Sequence, residues 1–93
     1  MPKFLIERNI PGAGAFTPAQ FQGASATSCA VIGELGTDVQ WVQSFVTDDK
    51  ITCVYIAKNA ELVREHARRA GLPADAVMEI RTMIDPTTAE LVV

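Results

Sequence analysis

The chain has 93 residues, of which 48% are hydrophobic and 20% charged, and its net charge is -3. That balance excludes a disordered polymer, and it gives no electrostatic reason to approach nucleic acid or an acidic membrane surface. At this length one domain is expected over residues 1–93, able to bury roughly 60–65% of its unfolded surface. There is no secretory-type leader and no apolar run of about 20 residues, so a cytoplasmic location is expected. Cys29 and Cys53 lack CxxC spacing and read as free thiols, packed as small buried hydrophobes.

KFLIERNI (Lys3–Ile10) alternates and predicts a strand, which PGAGAF breaks. Thr17-Pro18-Ala19-Gln20 predicts a helix start, with Thr17 as N-cap, Pro18 in the first turn and Gln20 closing a capping box. Phe21, Ala24, Ser28, Val31, Ile32 and Leu35 recur at helical spacing up to Gly36, a C-cap. Gly23 and several Ser and Thr residues make this helix weak on its own, so packing must hold it. Val39–Val46 predicts a second strand, Thr47–Lys50 a polar turn, and ITCVYIA (Ile51–Ala57) a third strand rich in β-branched and aromatic residues. Asn59 caps a helix that runs to Ala70 and stops at Gly71 and Pro73. Ala76–Ile84 alternates again and ends at Asp85-Pro86. The remainder, residues 87–93, is a short tail whose Leu91-Val92-Val93 either frays or lies on a neighbouring subunit.

The order β-α-β-β-α-β in one small domain predicts an α+β, ferredoxin-like sandwich. Its four-stranded antiparallel sheet carries both helices on one face, and right-handed crossovers place the strands 4-1-3-2. A two-residue turn at Asp48-Asp49 pairs Val46 with Ile51, Ser44 with Cys53 and Val42 with Tyr55 on one face. Phe4, Ile6, Met78, Ile80 and Ile84 join that face, which is assigned to the helices. The opposite face receives Glu7, Trp41, Gln43, Phe45, Thr52, Val54, Val77, Glu79, Arg81 and Met83. Its aromatic and aliphatic members form an exposed apolar patch, and a second copy of the chain is its simplest cover. A homodimer is therefore expected, with Trp41, Gln43, Phe45, Glu79 and Arg81 at the interface. Glu7 and Arg81 are placed as a cross-strand pair that fixes register.

LVREHARRAG (Leu62–Gly71) holds the only histidine. On a helix, His66 falls with Leu62 and Val63 on the apolar side, over Ser44, Cys53 and Tyr55. Two roles stay open for it. Imidazole and thiol suit divalent transition metals, so His66 and Cys53 are candidate ligands, although no HxxxH, CxxC or HExxH spacing accompanies them. Alternatively, His66 is a core histidine bonded to Tyr55 or a backbone carbonyl. A small-molecule pocket between helices and sheet, with Tyr55 and Ser44 lining it and His66 as a general acid or base, is the competing functional class. PGAGAF lacks the phosphate-loop pattern, and no nucleophile elbow is present. No catalytic residue is assigned, and no organic cofactor is indicated.

MPKFLIERNIPGAG, QWVQSFVTDDKITCVYIAKNAE, REHARRAGLPADAV and the closing IDP together resemble a family of small bacterial proteins of uncharacterised function, from Met1 to about Pro86. The resemblance implies a ferredoxin-like fold, a dimer through the open sheet face and, by analogy with an actinomycete member, nickel binding. It carries onto Glu65-His66-Ala67-Arg68 and Cys53-Val54-Tyr55. At position 43, where the family stretch commonly has histidine, this chain has Gln43, a poor nickel ligand. The resemblance thus implies a small metal-associated protein with nickel or another divalent transition metal at His66 and Cys53.

Overall fold

The structure is a computed structural model that describes residues 1–90. Strand β1 (Lys3–Asn9) turns Phe4, Ile6 and Arg8 inward, as strict alternation requires. Helix α1 (Pro18–Leu35) begins with the full Thr17/Gln20 capping box. Strands β2 (Val39–Val46) and β3 (Lys50–Ala57) form a hairpin, helix α2 (Ala60–Ala70) follows, and β4 (Ala76–Ile80) closes the sheet. Asn59 caps α2 by accepting from Leu62 N–H at 2.9 Å, and Gly71 ends it in the left-handed region at φ 71°. The sheet order β2-β3-β1-β4 is the expected ferredoxin-like arrangement, with all neighbours antiparallel. No helix among the described residues is long and apolar enough to cross a membrane. Leu91-Val92-Val93 of the tail lie outside the described residues.

The two helices bury different things. Helix α2 is strongly amphipathic and sends Val63, His66 and Ala67 into the core formed by Phe4, Ile6, Val39, Cys53, Tyr55 and Ala57. Helix α1 buries only Ser28 and Val31. Ile32 and Leu35 pack on the core at its C-terminal end, but toward its middle Ala24, Ser25 and Ser28 are too small to fill the space above β2 and β3. Cys29 follows Ser28 by about 100° around the helix and is exposed, not packed as expected, whereas Cys53 is buried.

Three local differences from the sequence expectation change which face a residue serves. Pairing of Val46 with Ile51 and Ser44 with Cys53 holds, but a bulge between Trp41 and Gln43 puts Trp41, not Val42, opposite Tyr55. Trp41 therefore joins the helix side of the sheet, and Val42 is 49% exposed. In β4, Val77 pairs with Ile6 and Glu79 with Phe4, so Met78 and Ile80 turn to the outer face. Asp75 fixes that register by donating its N–H to Glu7 O at 2.9 Å and accepting from Asn9 N–H at 2.6 Å. β4 also ends at Ile80, leaving Met83 and Ile84 exposed without a ladder. Finally, Glu7 faces Lys50 at 3.8 Å while Arg81 pairs with Glu79 at 2.6 Å, so the expected Glu7–Arg81 pair does not form.

The β2–β3 turn is tied to the loop after β1. Gly14 donates its N–H to Asp48 O at 3.0 Å, and Gly12 donates to Asp49 Oδ1 at 2.9 Å. The contact is close enough that a Cβ on Gly14 would meet Asp48 Cα at 2.9 Å. The loop thereby holds the start of α1 at the turn end of the hairpin.

Candidate functional site

Between α1 and the β2–β3 hairpin lies a cavity of about 260 Å³. It exists because the small residues Ala24, Ser25 and Ser28 line the α1 side while the bulge brings the Trp41 indole to the sheet side. Phe21, Trp41, Val46, Ile51 and Leu72 supply apolar wall. Arg8, Ser28, Ser44, Cys53 and Tyr55 supply the polar atoms. Trp41 donates its indole N–H to Ser44 Oγ at 2.9 Å, and Ser44 Oγ in turn donates to Cys53 Sγ at 2.9 Å, so the ring is held in a fixed orientation.

The unexpected member is Arg8. It is only 1% exposed, and none of the described carboxylates forms an ion pair with it. Its Nη1 donates to Pro73 O at 2.6 Å, while Nη2 approaches Tyr55 OH and Nε approaches Cys53 Sγ, each at 3.4 Å. Its guanidinium carbon lies 6.0 Å from the centroid of the Tyr55 ring. A guanidinium carries more donors than these contacts use; the one to Tyr55 OH is long, and the one to Cys53 goes to a weak sulfur acceptor. Removing an unpaired charge from water costs several kcal/mol, so this side chain is held at the cavity against its solvation preference. The signal was in the sequence: the Phe4–Ile6 alternation continues to Arg8, and a charged residue on an inward position is the informative exception.

His66 is fully buried and points inward as expected. Its Nε2 meets Ser28 Oγ at 3.0 Å and Ser28 O at 3.4 Å, and its ring lies against Tyr55 with centroids 5.1 Å apart. Nδ1 has no partner among the described residues. Burial, assisted by the Arg8 charge, pushes the imidazole below its ordinary range despite the Ser28 contact. Burial also raises the Tyr55 phenol, which the Ser28 hydroxyl and Arg8 only partly offset. The ionisable rings around the cavity are thus neutral near pH 7 and the one persistent charge is Arg8.

Tyr55 and Ser44, expected as pocket residues, both line the cavity, and so does Cys53. His66 stands behind Ser28 rather than in the wall. Trp41 lines the cavity instead of the outer face, Gln43 and Phe45 lie in outer-face register, and Glu79 falls on the helix-side register with Arg81 bonded to it. These residues do not fit a nickel centre within one chain. His66 Nε2 is occupied by Ser28, and Cys53 Sγ sits beside the Arg8 cation and accepts from Ser44. No group of three or more His, Cys, Asp or Glu side chains among the described residues is placed to hold a metal ion. Hard and borderline cations need several anionic or imidazole donors at once.

A crystal structure of SCO4226 from Streptomyces coelicolor A3(2) is similar to this chain, with a TM-score of 0.75 and 24% sequence identity, over 88% of this chain and 99% of that one. At that identity the likeness establishes the fold. No curated protein matches the chain. The family described as "Nickel responsive protein SCO4226-like" matches residues 4–80, which take in the four strands except Lys3, both helices and every residue of the cavity. This chain belongs to the SCO4226-like family of nickel-responsive proteins.

Proposed function

We propose that this protein binds a small organic molecule in the cavity beneath α1 and performs no catalysis. The observation that carries the reading is Arg8, a buried guanidinium with no described carboxylate partner at the wall of an otherwise apolar cavity. Enclosed apolar sites with a few convergent polar groups are where ligands bind, and buried charges persist where function needs them. Ser44 and Tyr55 add hydroxyls at the same wall, and the fixed Trp41 ring provides a flat surface.

The family description favours a second reading, nickel association. In this chain it would need donors from more than one copy, because no three ligating side chains converge among the described residues. The exposed outer-face residues Phe45 and Met78, 54% and 42% accessible, support a homodimer through the sheet. Native mass spectrometry of freshly purified protein separates the readings. The cavity reading predicts a bound organic mass lost in Ala24→Trp, which fills the cavity from the α1 side. Bound nickel that survives Ala24→Trp, with no organic mass, would overturn it.

A further inference from the structure

We propose that the ligand is a small monocarboxylate, held by its carboxylate on Arg8 with its apolar body against Phe21, Trp41 and Ile51. The inference rests on the cavity being the binding site, and it follows from charge, shape and size together. Arg8 is the only charged side chain in the wall. Its planar fork matches a carboxylate better than any other small anion of single charge, and Lys-type point attraction is not available there. Its N–H toward Tyr55 is held by a long 3.4 Å contact and its N–H toward Cys53 by a weak sulfur acceptor, and a carboxylate can outcompete both.

One buried positive charge balances one negative charge. A dianion such as a phosphate monoester would leave a charge uncompensated against apolar wall. The Ser28, Ser44 and Tyr55 hydroxyls offer neutral hydrogen bonds beside the guanidinium. A neutral His66 and a neutral Tyr55 add no competing charge. The volume of about 260 Å³ lies just under the range of drug-sized pockets, ~300–1,000 Å³. A single ring or a short branched chain fills it. The aromatic walls Phe21 and Trp41 favour a ring, which stacks at little entropic cost.

Phenylacetate and phenylacetamide test this, because they share shape and differ in charge. Trp41 is the only tryptophan and lies in the cavity wall, so its fluorescence reads occupancy in the wild-type protein, and calorimetry reads it in Ala24→Trp, which adds a second indole. The proposal predicts saturable phenylacetate binding, with phenylacetamide weaker by at least about tenfold. Arg8→Met should abolish that preference, and the wild-type comparison stands even if the variant folds poorly. Equal affinity for both compounds, blocked by Ala24→Trp, would overturn the carboxylate and leave the cavity as the site. Phenylacetate binding that survives Ala24→Trp would place the ligand elsewhere and overturn both. No Trp41 response to either compound would also overturn the proposal, while a neutral molecule co-purifying with the protein would still sustain the cavity reading.

Discussion

Replacing Arg8 by methionine removes the cavity's one charge and keeps a flexible stem of similar length. A guanidinium that served the fold would be missed, because breaking a buried ion pair costs about 3–5 kcal/mol. The structure argues for a different sum. The lost bonds are one good contact to Pro73 O at 2.6 Å, one long contact to Tyr55 OH at 3.4 Å and one to the weak acceptor Cys53 Sγ at 3.4 Å. Pro73 is exposed and its carbonyl can turn to water. Cys53 Sγ keeps Ser44 Oγ at 2.9 Å. These losses come to about 2–4 kcal/mol, since the bond to Pro73 O from a charged donor is of the stronger kind. Against them stands relief of several kcal/mol of desolvation for a charge without a described carboxylate partner. Arg8→Met should therefore leave the ligand-free protein within about 1 kcal/mol of wild type or make it more stable, as expected of a residue kept for binding. Urea unfolding followed by circular dichroism measures this, with an unchanged m-value as the check on compactness. A loss above about 3 kcal/mol would show that Arg8 is structural and refute the reasoning.

Stability should also report His66. Its folded pKa lies below the ordinary 6.5, so between the two the unfolded chain binds a proton that the folded chain refuses. Stability is then lost as pH falls below about 6.5, and His66→Gln, which keeps a donor toward Ser28, should flatten that slope. Glu65 acts lower: Arg68 and Arg69 hold it at about 2 against an ordinary 4.5, so its contribution, present above 4.5, fades as pH falls toward 2. A slope near pH 6 that persists in His66→Gln would contradict the assignment. Gly14→Ala should cost about 1–3 kcal/mol in thermal melts, since its Cβ meets the Asp48 and Thr47 backbone, which cannot rotate away; an unchanged Tm would disprove the tight contact. If two copies join through the outer face as proposed, wild type should sediment as a dimer and Phe45→Lys as a monomer with no lower melting temperature, and a variant dimer that persists would remove the outer face from the assembly.

Much of the fold is written in local chemistry. The capping box at Thr17, the Asn59 and Gly71 ends of α2 and the two-residue Asp48-Asp49 turn each form where their side chains dictate. Handedness and element order then leave the observed strand order. The errors arise where a single residue changes parity. One bulge moves Trp41 across the sheet, and the anchoring of Asp75 on β1 turns Val77 inward. Neither shows in composition: the bulge is a shift of register within the β2–β3 pairing, and the Asp75 anchor joins segments distant in sequence. The inward histidine was legible from helical spacing, and its Ser28 partner was not, since that bond joins two helices. Arg8 was legible by alternation, yet its meaning depends on what surrounds it. Only the packed structure shows that no described carboxylate pairs with it and that a cavity adjoins it. Small residues on α1 read as helix weakness in the sequence and as the roof of a cavity in the fold.

The most direct test is a nitrogen–proton correlation spectrum of the labelled protein, titrated with phenylacetate. The account predicts concentration-dependent shifts at the Trp41 indole N–H and at the amides of Arg8, Ser28, Ser44 and Tyr55, with Gln43, Phe45 and Met78 unmoved. Shifts confined to the outer sheet face, or a cavity whose signals do not move at saturating ligand, would contradict it.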